Sequence, residues 1–155
     1  MATAANYEGD LPLGELIARA GIVAPNELYA ALATARAAGR RLGDVLLEQG
    51  LLGERDLARL VAKQEGLEFV DLGKLDLDQG AVDLLSERTS RRHSAIAFRS
   101  EGAATIVGVA DPTDTEGLDA IIAEIPGGVR FVVATASEVD AALAEAFGEA
   151  PAEPW

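Results

Sequence analysis

The sequence predicts an α+β protein in which tandem helical hairpins, residues 1–66, pack on a βαββαβα sandwich, residues 67–148, with a mobile tail over 149–155. Three observations predict it. A pattern from Arg41 to Gln64 reads R-L-G-x-x-L-L-x-x-G-L-L, four residues, then L-x-x-x-V-x-x-Q, and a weaker copy lies 29 positions earlier (43 − 14). A repeated supersecondary unit of this kind fixes how a chain buries its apolar faces. After Gly66 the helical spacing of apolar residues gives way to short runs rich in β-branched residues. Finally, 49% of the 155 residues are apolar, enough for a core although only 5% are aromatic.

The repeat lays Leu13, Gly14, Ile17, Gly21, Ile22, Val23, Leu28 and Leu32 under Leu42, Gly43, Leu46, Gly50, Leu51, Leu52, Leu57 and Val61. Each copy reads as two short helices joined at a glycine. Leu13, Leu16, Ile17 and Ala20 fall at helical spacing before Gly21; Leu28, Ala31, Leu32 and Ala35 do so after Pro25, which suits a first helical turn. In the second copy Leu42, Val45, Leu46 and Gln49 precede Gly50, and Leu57, Leu60, Val61 and Gln64 follow it. The apolar pairs Ile22-Val23 and Leu51-Leu52 are expected to plug the corners.

Beyond Gly66, Leu67 to Leu72 reads as a strand, Asp78 to Ser86 as a helix and Arg88 to His93 as a helical turn or a connection. Ala95 to Arg99 and Ala104 to Ala110 read as strands around a Ser100-Glu101-Gly102 turn. Thr113 with Glu116 fits a capping box for a helix over Thr115 to Ile125, which Pro126-Gly127-Gly128 stops. Val129 to Ala134 reads as a buried strand, and Ser137 with Asp140 as the cap of a last helix ending at Phe147 and Gly148.

The composition excludes several functions. A net charge of −13 argues against binding DNA or RNA, where a basic footprint supplies most of the affinity. The charge is uneven. Residues 1–66 hold seven Arg and Lys against nine Asp and Glu, net −2; residues 67–155 hold six against seventeen, net −11. A small anionic ligand therefore meets less repulsion in the first part. No run reaches the roughly 18 apolar residues of a membrane span, and Met1 to Asp10 has no signal-peptide pattern, so a cytoplasmic protein without membrane insertion is expected. With no cysteine, one histidine and no H-E-x-x-H pattern, no metal site and no catalytic residue are expected. His93, after Arg91-Arg92, is read as a structural link from helix end to strand. The absence of G-x-x-x-x-G-K-[ST] excludes a phosphate loop, and with it ATPase activity.

The tandem pattern resembles the MshEN domain, the amino-terminal module of type II secretion and type IV pilus assembly ATPases. The five-residue spacer Arg36 to Arg40 and the later segments L-E-F-V-D-L, R-R-H-S-A-I-A-F, V-G-V-A-D-P-T-D and A-T-A-S-E-V-D-A-A-L continue the likeness to Gly148. The resemblance implies two functions for such a chain: docking on a secretion or pilus ATPase or an inner-membrane platform protein, and, as the alternative, reception of cyclic di-GMP. The chain is then either a module of a larger ATPase or a standalone relative, and its acidic tail favours the second.

By the same resemblance the ligand contacts are Leu13, Gly14, Leu28 and Leu32 in the first copy, and Arg41, Leu42, Gly43, Leu57, Val61 and Gln64 in the second, with Asp111 as a further acid near the ligand. The chemistry of these residue types agrees. Arg41 offers a planar fork of donors for a guanine carbonyl or a phosphate, Gly43 admits a ring close to the backbone, and the Gln64 amide donates and accepts. Leucines at helical spacing are equally core residues, and Asp111 equally a helix cap. The first copy has Pro12 where Arg41 stands and Ala35 where Gln64 stands, so half of the polar grip is missing. Arg36 and Arg40 are neighbouring cations that could compensate, although a one-residue offset on a helix turns a side chain by about 100°.

Overall fold

The structure is a computed structural model that describes residues 10–149, with side chains from Leu13 onward. The expected tail lies outside these residues apart from Glu149. The chain divides between Gln64 and Glu65 into two compact units.

The first unit consists of α1 (Asp10–Ala20), α2 (Pro25–Ala38), α3 (Leu42–Glu48) and α4 (Glu54–Glu65). Each hairpin corner is a left-handed glycine, Gly21 at φ 67° and its repeat mate Gly50 at φ 69°, a conformation that costs a residue with a Cβ far more. Pro25 starts α2, where its missing N–H is no loss. Helices of 7 to 14 residues are marginal in isolation, so packing holds them. Leu13, Ile17, Val23, Leu28, Ala31, Ala35, Leu42, Val45, Leu46, Leu52 and Val61 form one buried cluster from all four helices and both corners. Burial of one Leu or Ile of this kind is worth about 1.5–3 kcal/mol. Only the second member of each corner pair is a plug: Val23 and Leu52 are buried, whereas Leu51 is half-buried and Ile22 exposed.

The second unit runs through a 3₁₀ turn (Leu72–Lys74), α5 (Gln79–Val82), α6 (Glu87–Arg92), β1 (Ala95–Glu101), β2 (Ala104–Val109), α7 (Thr115–Glu124), β3 (Gly128–Val133) and α8 (Ala136–Phe147). The sheet order is β1-β2-β3, with β1 antiparallel and β3 parallel to β2, so α7 is the crossover that a parallel pair requires. Alternate residues of a strand face opposite ways. Ile96 and Phe98 thus join Val139, Ala142 and Leu143 of α8, while Ala95 and Ala97 join Ile121 and Ile125 around α7.

Several expectations are corrected. Leu67 to Leu72 forms no strand of its own; Phe69 makes a single parallel bridge to Val133, flanked by Val70 N–H to Val133 carbonyl (2.9 Å) and Val133 N–H to Glu68 carbonyl (2.8 Å). The chain then turns into the 3₁₀ turn, where Gly73 N–H donates to Glu138 Oε2 at 2.7 Å. The helix expected over Asp78 to Ser86 is confined to Gln79–Val82, capped by Asp78, and Ser86 caps α6 instead. Asp114, not Thr113, caps α7, and the cap of α8 is Thr135, which accepts from Glu138 N–H, rather than Ser137 with Asp140. The first half of β3 is exposed or half-buried; only its end is buried.

Candidate functional site

The second-copy motif is built around the start of α3. Gly39 ends α2 in the left-handed conformation and Arg40 N–H returns to Ala35 carbonyl at 2.9 Å, so the chain turns sharply. Arg41 follows in extended conformation as the N-cap residue of α3, exposed, its carbonyl accepting from Val45 N–H. Leu42 and Gly43, the first residues of α3, are both buried. On α4, Leu57 is half-buried, Val61 buried and Gln64 half-buried. Gly43 faces Leu57 closely: a Cβ on Gly43 would lie 3.1 Å from each Leu57 Cδ.

The apolar candidates all belong to one place. Leu13, Leu28, Leu42 and Val61 are in the buried cluster, and Leu32 and Leu57 pack on its margin. Leu42 is fully buried, so the leucines that present apolar surface outward are Leu32 and Leu57.

The two copies differ in burial as well as in residue type. Ala35 is 2% exposed inside the cluster, whereas its counterpart Gln64 remains half-buried at the end of α4. The position that carries the amide in the second copy is sealed in the first. Pro12 lies within α1 at a position whose side chain is outside the described set. Of the two neighbouring cations, Arg36 is exposed on α2, and Arg40 pairs with Glu48 across α3, Nη1 to Oε2 at 2.6 Å.

Asp111 belongs to the second unit. Its Oδ1 accepts from Thr113 N–H at 3.0 Å and from the Thr113 hydroxyl, an Asx turn between β2 and α7. It does not cap α7; Asp114 does, accepting from Gly117 N–H at 3.0 Å. The other Asp114 oxygen lies 3.2 Å from His93 Nδ1, so His93, the C-cap residue of α6, ties that helix to the start of α7. The link expected from helix end to strand thus runs from helix end to helix start.

Sequence reasoning did not single out Glu48, Glu124 or Glu138. Glu48 sits in the last turn of α3, where a carboxylate opposes the helix dipole and no basic residue accompanies it within the helix. Glu138 accepts from the Thr135 hydroxyl through one oxygen and from Gly73 N–H through the other. Glu124 accepts from Ser86 N–H at 2.5 Å and from the Thr89 hydroxyl at 2.6 Å. Partial burial alone would raise the Glu124 pKa; the hydrogen bonds from Thr89 and Ser86 outweigh it and leave the carboxyl below its ordinary 4.5. Only a fold that joins distant segments makes these acids visible. Among the described residues no cluster of His, Cys, Asp and Glu could hold a metal, and no helix is long and apolar enough to cross a membrane.

Comparison with known proteins bears on this arrangement. The MshEN domain matches residues 65–153, more than half of the chain. The type IV pilus assembly ATPase PilB of Thermus thermophilus is 34% identical over 115 residues, which is 73% of this chain and 13% of that protein. The chain therefore spans a small part of that relative's length. The solved structure of MshE with cdg is 32% identical, with a TM-score of 0.77 over 87% of this chain and 98% of that one. The N-terminal domain of XpsE, 22% identical, shares the fold with a TM-score of 0.69 over 87% and 93%.

Proposed function

The chain belongs to the MshEN domain family, and from that premise we propose that it is a non-catalytic regulatory module that docks, in the cytoplasm, on a protein component of a type II secretion or type IV pilus machine. Its partner is a motor ATPase or an inner-membrane platform protein. One observation carries this reading: residues 65–153 match the MshEN domain, found in type IV pilus assembly ATPase relatives, while no phosphate-cradling loop lies within these 155 residues. Lys63 and Lys74 are its only lysines, and neither stands in a glycine-rich phosphate loop. Co-purification of the chain with a cognate motor ATPase, and separately with the cytoplasmic part of a platform protein, tests it. A stoichiometric complex with either is expected. Elution apart from both contradicts docking.

A second reading, reception of cyclic di-GMP, is favoured by the likeness to MshE solved with cdg and by the complete second motif. Arg41, exposed at the entry to α3, supplies a bidentate donor for a guanine edge or a phosphate. Leu57 and Leu32 supply the apolar surface for purine faces, and Gln64 an amide for a base edge. The first copy contributes shape and apolar surface without the polar grip, since Ala35 is sealed in the core. Calorimetric titration with cyclic di-GMP decides between a module that only docks and one that also reads the nucleotide.

A further inference from the structure

We propose that Glu48, acting through Arg40, is a positioning residue for the second motif: it fixes the short linker that presents Arg41. The value of that position rests on the cyclic di-GMP reading. Arg40 is the one residue between the left-handed Gly39 and the N-cap residue Arg41. Its N–H is bound to Ala35 carbonyl at the end of α2, and its guanidinium to Glu48 in the last turn of α3 at 2.6 Å. One residue thus ties the end of α2 to the far end of α3, and Arg41 stands at the vertex. A pair eight positions apart spanning a whole seven-residue helix constrains the helix direction, which an i,i+4 pair within it does not.

Two features indicate a role beyond incidental surface pairing. Glu48 occupies a helix end that disfavours a carboxylate, so a local rule is broken and Arg40 supplies the compensation. The pair also exists only in the copy that keeps Arg41 and Gln64: at an offset of 29 (43 − 14), the first-copy counterparts are Leu11 and Arg19, which cannot pair. With Arg40 41% and Glu48 65% exposed, solvent screens the pair, and its effect is modest and geometric rather than a large stability term.

The test compares Glu48→Gln, the charge swap Arg40→Glu with Glu48→Arg, and Arg41→Ala in the full chain, by amide exchange at Val45 and Leu46 and by titration with cyclic di-GMP. Glu48→Gln is expected to speed exchange at these amides, and to weaken binding, by about two- to fivefold each, with the swap restoring both. Exchange that responds in a chain that binds no nucleotide refutes the cyclic di-GMP reading and leaves the clamp standing. Normal binding with neither readout moved in Glu48→Gln, or a swap that restores neither, overturns the clamp while the nucleotide reading stands.

Discussion

Gly43 and Leu57 approach so closely that a single added carbon on Gly43 would lie 3.1 Å from both Leu57 methyls, whereas among the described residues the same carbon on Gly14 would meet only Leu42, at 3.8 Å. The repeat mates are therefore unequal. Alanine is the better helix former by about 1 kcal/mol, so Gly14→Ala is expected to stabilise the protein slightly. Gly43→Ala gains the same propensity but must displace Leu57, and is expected to be less stable than Gly14→Ala by about 1 kcal/mol. Chemical denaturation of both variants checks the order; an equal response means that Leu57 yields freely.

Gly117 is more tightly enclosed than Gly43. A Cβ there would collide with the Asp114 carboxylate and lie 2.8 Å from His93 Nδ1. Gly117→Ala is expected to break both the α7 cap and the His93–Asp114 link, costing about 2 kcal/mol or more. The corresponding loss in melting temperature is about 4–8 °C for a chain of this size. An unchanged melting temperature shows that neither contact contributes.

Glu124 gives the fold a pH signature. Because its carboxyl is held below 4.5 in the folded chain by Thr89 and Ser86, the folded state favours the charged form. Its stabilising contribution is complete above the unfolded carboxyl pKa and disappears as pH falls through the lower folded value. Glu124→Gln is expected to be less stable than the native chain at pH 7, with the difference shrinking below about pH 4.5. Denaturation midpoints across pH 3 to 7 measure this. A difference that grows on acidification contradicts the sign.

The helical hairpins were legible because apolar residues at 3.6-residue spacing and paired glycines are local signals, and the repeat doubles them. The caps were less so. Thr113, Asp114, Ser137 and Thr135 all have cap chemistry, and the choice falls to distant partners: His93 for Asp114, and Gly73 through Glu138 for Thr135. The strand read over Leu67 to Leu72 failed for the same reason, since its sequence suits a strand but only Phe69 bridges the sheet before Gly73 is drawn to Glu138. At the site, the repeat located the residue types, yet it could not show that Ala35 is sealed, that Leu42 is fully buried, or that Arg40 is engaged by Glu48 eight residues on.

Burial also limits what motif residues placed in the first copy can add. Ala35→Gln forces an amide into a 2% exposed core position, so Pro12→Arg with Ala35→Gln is expected to lose about 1–3 kcal/mol of stability rather than gain a second grip. Thermal unfolding of the double variant checks this. A normal melting temperature with tighter nucleotide binding shows that α2 can turn the amide outward.

On the cyclic di-GMP reading the polar contacts come from the second motif, and calorimetric titration of the native chain and of Arg41→Ala with cyclic di-GMP tests this most directly. A charge-assisted hydrogen bond is worth about 1.5–3 kcal/mol, so Arg41→Ala is expected to weaken binding by about tenfold to a hundredfold in a protein that still folds. Equal affinity in the two proteins, or no heat from folded native chain at high-micromolar nucleotide, contradicts a ligand site at Arg41.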